Sequence, residues 1–142
     1  PTSTTNFNVM VTDPNGCVST QTINVLVNVC GPGAGLNLRA FIEGLKTGPG
    51  VMTPVLFNTG ESTNPLDCDT ISIELHQATT PYATVYAVPA LLNINGYASA
   101  NFPVGALGNS YYLVVRTRNG IETWSKLPVL MGASTVFDLT TP

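Results

Sequence analysis

The sequence predicts an all-β protein, an antiparallel β-sandwich of about seven strands with an N-terminal β-hairpin extension. Three observations support this prediction. Short segments of alternating apolar and polar residues recur about every 10–15 residues. Turns that contain glycine or proline separate these segments, and no segment shows a sustained 3.6-residue period. Regularly spaced short strands of this kind are typical of a sandwich.

Residues 1–30 predict a hairpin of their own. The segment FNVMVTD alternates, Pro14-Asn15-Gly16 forms the turn, and CVSTQTINVLVNV alternates again. Because a lone two-stranded hairpin is marginal in water, we expect it to end a preceding repeat, to pack on the rest of its own chain, or to add strands to a neighbouring subunit. The candidate strand-donor residues are apolar: Phe7, Val9, Val11, Ile23, Val25, Val27 and Val29.

Residues 31–35, Gly-Pro-Gly-Ala-Gly, are the predicted linker, because three glycines and a proline in five residues disfavour regular structure. The sandwich domain is predicted over residues 36–142. Its predicted strands come in this chain order: LNLRAFIEG, TPVLFNTG, TISIELHQA, ATVYAVPALLNI, YASANF, a central hairpin at 111–124, SKLPVLMG and ASTVFDLTT.

The central hairpin has the strongest local signal. Asn119-Gly120 lies between two alternating arms, and this dipeptide favours a tight type I′ turn because both residues tolerate positive φ. The single tryptophan, Trp124, and two of the five tyrosines lie in this segment. We therefore expect it to contribute much of the aromatic area of the core.

Composition indicates an extracellular protein. Charged residues are only 9% of the chain, against roughly 25% in a typical soluble domain, and the net charge is -3. This balance argues against nucleic-acid binding, and no apolar run reaches the roughly 18 residues of a membrane span. The polar start PTSTTNFNV predicts either a leader already removed or a piece of a longer polypeptide. Among Cys17, Cys30 and Cys68, three disulfide pairings remain open.

No arrangement of residues predicts catalysis, so we expect a non-enzymatic protein with no cofactor and no metal. Glu74 and Glu122 are expected on outward strand faces as solvated side chains, and His76 as a surface histidine without a nucleophile motif. The loop around Asp67 and Asp69 offers oxygens to Ca²⁺, but its spacing matches no EF-hand loop, and a plain polar loop is the favoured interpretation.

The aromatic residues allow a glycan platform. Tyr111 and Tyr112 are adjacent in a strand, so they point to opposite faces and only one of them belongs to the core. The other ring is a candidate sugar-stacking surface. We therefore name Tyr111 and Trp124 as the candidate platform, with ordinary core packing as the favoured alternative.

Two stretches resemble a known family. FNVMVTDPNGCVSTQTINVLV is similar to the closing hairpin of immunoglobulin-like or polycystic-kidney-disease-like repeats in giant Bacteroidota surface proteins. DTISIELHQATTPYATVYA, LNINGYASANFP and NSYYLVVRTRNGIETWS resemble a domain near the C-terminal end of large secreted Bacteroidota proteins. The resemblance implies an immunoglobulin-like, secreted sandwich of structural or adhesive character, plausible cargo of the type IX export system. It defines no catalytic residue.

The same resemblance provides one candidate modification site. Asp69-Thr70-Ile71 is similar to the short O-glycosylation signal of secreted Bacteroidota proteins, which makes Thr70 a candidate acceptor.

Together these observations predict a non-enzymatic cell-surface module, a filament or adhesin subunit that assembles head-to-tail through its N-terminal hairpin. Its expected partners are copies of itself or adjacent repeats of the same polypeptide, and a surface glycan as a further candidate. The alternative is a carbohydrate-binding module of a secreted protein. A hydrolase is a weaker third interpretation, because it needs two carboxylates that converge in a cleft.

Overall fold

The chain is all-β, as predicted, in a computed structural model that describes residues 5–25, 32–118 and 120–141. It divides into two units, Pro1–Gly31 and Pro32–Pro142, which we call the hairpin and the body. No helix among the described residues has the length and apolar character needed to cross a membrane.

The hairpin pairs β1 (Thr5–Thr12) with β2 (Val18–Val25) in an antiparallel register without interruption. Its turn is closed by the Asp13 carboxylate, which accepts hydrogen bonds from the backbone N–H groups of Asn15 and Cys17. An Asx turn of this kind, with Gly16 at a φ of +83°, explains why Asp-Pro-Asn-Gly folds the chain back here. The candidate donor residues Val27 and Val29 lie outside the described residues.

The described part of the body contains ten strand segments. They are β3 (Ala34–Arg39), β4 (Lys46–Gly48), β5 (Val51–Met52), β6 (Asp67–Gln77), β7 (Thr84–Asn93), β8 (Tyr97–Phe102), β9 (Ser110–Arg116), β10 (Thr123–Trp124), β11 (Val129–Leu130) and β12 (Thr135–Asp138). One helical turn, α1 (Val55–Asn58), and two short 3₁₀ turns, Glu43–Leu45 and Val104–Ala106, connect them.

Two sheets form the body. The larger has the order β10-β9-β6-β7, with β11 also pairing with β9, and all of its pairs are antiparallel. The smaller has the order β12-β3-β8, in which β12 runs parallel to β3 and β8 antiparallel to it. A separate ribbon of β4 and β5 lies in the connection between β3 and α1.

One hydrophobic core lies between the two sheets, which is the arrangement of a β-sandwich. Alternate residues of each strand point into it because successive side chains of a strand point to opposite faces. The largest fully buried side chains of this core are Phe102, Leu36, Leu38, Met52, Ile71, Ile73, Leu75, Leu92, Leu113, Met131 and Cys68. Full burial of each large apolar side chain stabilises the fold by about 1.5–3 kcal/mol.

The predicted strand at residues 53–60 is wrong, because its centre forms α1. Pro54 precedes the first helical residue, a position that suits its fixed φ. The turn then ends at Gly60, whose φ of +78° is accessible to glycine, and the Thr59 hydroxyl donates back to the Val55 carbonyl. Pro54 therefore starts a single helical turn here, where the sequence predicts a strand.

The predicted linker at residues 31–35 is too long, because β3 begins at Ala34. Gly33 and Gly35 are packed: an added Cβ would clash with the Phe102 carbonyl oxygen at Gly33 and would lie 2.6 Å from the Ala133 carbonyl oxygen at Gly35. At these positions glycine permits close backbone approach and does not indicate flexibility.

The central hairpin forms, with β9 paired to β10. Thr123 pairs with Val115 and Trp124 with Val114, so the described ladder ends before the predicted turn and a loop joins the two strands. Asn119 lies outside the described residues, so the type I′ turn at Asn119-Gly120 stays a prediction. The Arg118 side chain in this loop pairs with Asp69 on β6, a tertiary contact that the local turn preference does not include.

We expect Leu113→Ala to destabilise the body by about 2–5 kcal/mol, because Leu113 is fully buried on the inner face of β9 and its truncation leaves a cavity. Leu130→Ala is the matched control: Leu130 is 63% exposed and its loss should cost less than about 0.5 kcal/mol. Urea unfolding followed by Trp124 fluorescence measures both. Equal losses would contradict the position of the core.

Candidate functional site

The outer face of the larger sheet carries a cluster of polar and aromatic side chains that we call the outer-face cluster. Strands β6, β9 and β10 supply most of it, because the residues next to the inward-facing ones point outward. Its members are Glu74, His76, Tyr82, Thr84, Tyr112, Arg116, Glu122 and Trp124.

His76 is the centre of the cluster. Its ring nitrogens lie 2.8 Å from the Tyr82 carbonyl oxygen and 2.8 Å from a Glu74 carboxylate oxygen, and the Thr84 hydroxyl lies 3.1 Å from Nε2. The Trp124 ring covers it edge-on at 4.6 Å between centroids. His76 is therefore only 4% exposed, although it is on the outer face.

A chain of ion pairs, ended by one hydrogen bond, continues from Glu74. Glu74 accepts from Arg116 Nε at 3.0 Å, Arg116 donates to Glu122 at 2.7 Å, and Glu122 accepts from the indole N–H of Trp124 at 2.9 Å. Burial opposes ionisation of Glu74, but hydrogen bonds from His76 and Arg116 outweigh it and hold the pKa of this carboxyl below its ordinary value. The chain links β6, β9 and β10.

The predicted solvated states of Glu74 and His76 are therefore wrong. Both side chains face outward as the alternation predicts, but Arg116 and Trp124 cover them. The register between β6 and β9 decides which side chains lie next to Glu74 and His76. His76 lies directly opposite Tyr112, and Glu74 lies opposite Val114. The sequence shows a glutamate and a histidine two residues apart, which places both on one face of the strand. It does not show which strand lies beside them, so the burial of these two side chains could not be predicted.

Three rings of the cluster are accessible. Tyr82 and Tyr112 meet edge to face at 5.8 Å, and Tyr112 is tilted against Trp124 at 6.1 Å. Tyr82 and Trp124 are exposed, and Tyr112 is half-buried. Of the two predicted platform residues, Trp124 is exposed on this face, whereas Tyr111 is buried in the core against Tyr86, so the prediction for Tyr111 is wrong. Tyr112 takes the outward position.

A second feature is a cleft of about 830 Å³ at one end of the sandwich, within the size range of ligand sites. Its floor is apolar and consists of Ile71, Leu92 and Val115. The loop between β9 and β10 forms one wall, where Ile121 is 94% exposed.

The charged residues of the cleft are mostly paired with other protein groups. Asp69, which is buried, accepts from the Arg118 guanidinium and from the backbone N–H of Thr70. Glu43 lies 3.7 Å from Lys46. The cleft therefore offers an apolar floor with a rim of hydrogen-bonding groups and little unpaired charge.

The predicted polar loop around Asp67 and Asp69 is partly strand, because β6 begins at Asp67, and its carboxylates are bound to protein groups. The Asp67 carboxylate accepts from the Ser62 hydroxyl and from the Asn64 side chain, and Asp69 is directed to Arg118. Among the residues that the structure describes, no three His, Cys, Asp or Glu side chains are grouped to hold a metal ion. Thr70, the candidate acceptor of an O-glycan, is exposed on β6.

The described cysteines differ in environment. Cys17 is exposed beside the hairpin turn, whereas Cys68 is fully buried in the body, and the two are not paired with each other. Burial, with a smaller contribution from the Asp69 charge, raises the pKa of Cys68 to about 11. Cys30 lies outside the described residues, so the pairings that involve it stay predictions.

The hairpin presents two different faces. One face carries hydrogen-bonded amide and hydroxyl groups, with Asn24 donating to Asn6 at 2.6 Å and Thr22 donating to Asn8 at 2.8 Å. The other face carries the described candidate strand-donor residues, and all of them are exposed: Phe7 47%, Val9 44%, Val11 63%, Ile23 48% and Val25 37%.

We expect Glu74 to contribute to the acid sensitivity of the body. Because its pKa is lower in the folded state than in the unfolded state, its stabilising contribution is present above the unfolded value and is lost as pH falls through the folded value. Glu74→Gln should therefore reduce the loss of unfolding free energy between about pH 6 and pH 3. Glu43→Gln, at a side chain that is 91% exposed, should leave that loss unchanged. A Glu74→Gln curve parallel to the wild-type curve would refute this.

No protein-family model, no curated protein and no solved structure matches the chain. The resemblance to Bacteroidota surface domains therefore stays a prediction.

Proposed function

We propose that the protein is a non-enzymatic structural module of an extracellular fibre or adhesin, and that it assembles with copies of itself or with adjacent repeats through its N-terminal hairpin. One observation carries this proposal. One face of the hairpin carries five large apolar side chains that are all exposed, together with Gln21 and Ser19, and the opposite face carries paired Asn and Thr side chains. A two-stranded ribbon of this kind gains stability when another surface covers its apolar face.

The size of that face limits how it can bind. Completing the burial of each half-exposed side chain contributes about 1 kcal/mol, or about 5 kcal/mol for the face. Association itself costs about 4–15 kcal/mol, so apolar contact alone does not give a stable assembly. The hairpin therefore also needs backbone hydrogen bonds to its partner, which strand addition supplies.

An extracellular setting fits the surface of the protein. Only 9% of its residues are charged, and amide and hydroxyl side chains take their place. Low charge reduces repulsion between identical subunits that approach each other. Head-to-tail use of a hairpin and a different surface of the next copy gives an open chain of subunits, because nothing closes the ring.

We expect the double substitution Phe7→Ser with Ile23→Ser to abolish assembly, because these residues face each other on the apolar side of the hairpin. Sedimentation velocity and negative-stain microscopy measure particle size over a range of concentrations. Thr20→Ser with Thr22→Ser, on the polar face, is the control and should leave the particle size unchanged. A wild-type protein that stays monomeric at all concentrations refutes the proposal.

Carbohydrate binding is the second candidate function, and the accessible rings of the outer-face cluster favour it. Tyr82, Tyr112 and Trp124 form a row of rings beside the carboxylate of Glu122 and the guanidinium of Arg116. Aromatic faces accept the C–H faces of sugar rings, while charged side chains hydrogen-bond to hydroxyl groups.

If the cluster binds a glycan, Tyr82→Ala should weaken binding by about tenfold, equal to about 1.4 kcal/mol. The matched control is Tyr97→Ala, because Tyr97 is an exposed tyrosine on β8, outside the cluster. A glycan array identifies the sugar, and calorimetry with that sugar compares the variants. Absence of binding by the wild-type protein, or equal loss in both variants, contradicts this function.

A further inference from the structure

We infer that the cleft at the end of the sandwich binds a small apolar molecule that carries one protonated amine. The apolar part of this ligand lies on the floor of the cleft, and its ammonium group lies beside the carboxylates of Asp69 and Glu61. The site uses residues of the body alone and none from the outer-face cluster, so it is a function beyond assembly and glycan binding.

The cleft lies where strands of both sheets begin or end. On the side of the larger sheet, β6 begins beside it with Asp69, and β7 and β9 end beside it with Leu92 and Val115. On the side of the smaller sheet, residues 40–45, which follow β3, form the opposite wall. Because the strands stop here, the cleft reaches the edge of the core, and its volume of about 830 Å³ is large enough for a small molecule.

The apolar surface of the cleft continues from its floor to its mouth. Phe41, Ile42 and Leu45 are half-buried, because one side of each packs against the core while the other faces the cleft. At the mouth, Ile121 is 94% exposed, so almost none of its apolar surface is covered by the protein. A ligand that contacts these side chains removes apolar area from water, and this gain favours an occupant with an apolar body.

Asp69 is a buried carboxylate in a row of apolar residues. It occupies the inward position of β6 that Ile71 and Ile73 continue, and only 7% of its surface is exposed. An acidic side chain is almost never this deeply buried without a partner. Its partner in the protein is the Arg118 guanidinium.

The protein uses only one of the two oxygens of this carboxylate. The Arg118 guanidinium and the backbone N–H of Thr70 both donate to Oδ1 of Asp69. Among the described residues no group donates to Oδ2, and the one fully buried polar atom that lacks a partner is Arg39 Nε. Oδ2 is therefore not sealed off, and the space next to Asp69 is the cleft. It is available to accept a hydrogen bond from a ligand.

The charges around the cleft favour a cation. Three carboxylates line it, those of Glu43, Glu61 and Asp69, against one guanidinium, that of Arg118. Glu43 lies 3.7 Å from Lys46, and Asp69 is paired with Arg118. In the part of the chain that the structure describes, Glu61 is thus the carboxylate of the cleft without an ion-pair partner. An ammonium group is attracted to this rim, whereas a carboxylate is repelled.

Glu61 and Asp69 act on the same part of the cleft. The pKa of Arg118 is raised, mainly by its hydrogen bond to Asp69 and the charge of Asp69, and to a smaller extent by the charge of Glu61. Because two carboxylates share one guanidinium, one negative charge is left over beside it. A ligand with a single ammonium group neutralises this charge and donates a charge-assisted hydrogen bond.

Three probes with the same apolar tail test the inference: n-octylamine, n-octanol and n-octanoate. Titration calorimetry of the full chain near neutral pH measures their dissociation constants. We expect n-octylamine to bind about tenfold more tightly than n-octanol, equal to about 1.4 kcal/mol, and n-octanoate to bind most weakly. Absence of n-octylamine binding, or an affinity no higher than that of n-octanol, overturns the inference.

Glu61→Gln tests the position of the ammonium group. Glu61 is exposed, so this change should leave the fold unaffected. We expect it to lower the affinity for n-octylamine to about that for n-octanol and to leave n-octanol binding unchanged. Glu122→Gln is the matched control, because it removes the same charge on the outer face and outside the cleft, and it should keep the preference for the amine. Equal loss in both variants contradicts the site, because the amine would then respond only to the net charge of the protein.

Methyl NMR of the wild-type protein locates the ligand without any variant. Addition of n-octylamine should shift the methyl signals of Ile71, Val115 and Ile121, which line the cleft. The methyl signals of Ile23 on the hairpin and of Leu127, which are exposed apolar side chains outside the cleft, should stay unchanged. Shifts at Ile23 or Leu127 without shifts at the cleft overturn the inference.

Discussion

Strand β6 is the element on which the body depends, because its two faces carry two different sets of interactions. Its inner residues, Ile71, Ile73 and Leu75, lie in the core between the sheets and are almost completely buried. Its outer residues Glu74 and His76 anchor the outer-face cluster. It pairs with β7 on one side and β9 on the other, so loss of its register would exchange the two faces and remove both the core and the cluster.

The outer-face cluster shows how a sheet with one polar face protects charged groups without a second layer. Glu74 and Arg116 are joined across neighbouring strands, and the Trp124 ring covers His76. Partly buried charges are tolerated when each is hydrogen-bonded to a partner, and this condition holds for Glu74, Arg116 and Glu122. The cluster therefore ties three strands together, and its exposed rings also make it a candidate sugar site.

The sequence by itself determined the all-β class, the hairpin at the N-terminus and the inward row of β6, because period-two alternation is local and can be read directly. It also predicted that only one of the two adjacent tyrosines, Tyr111 and Tyr112, belongs to the core. The tertiary structure decided that Tyr111 is the buried one, that Trp124 covers His76, and that Arg118 pairs with Asp69 on β6. These outcomes depend on which strands become neighbours and in which register, and pairing partners far apart in the chain leave no local pattern.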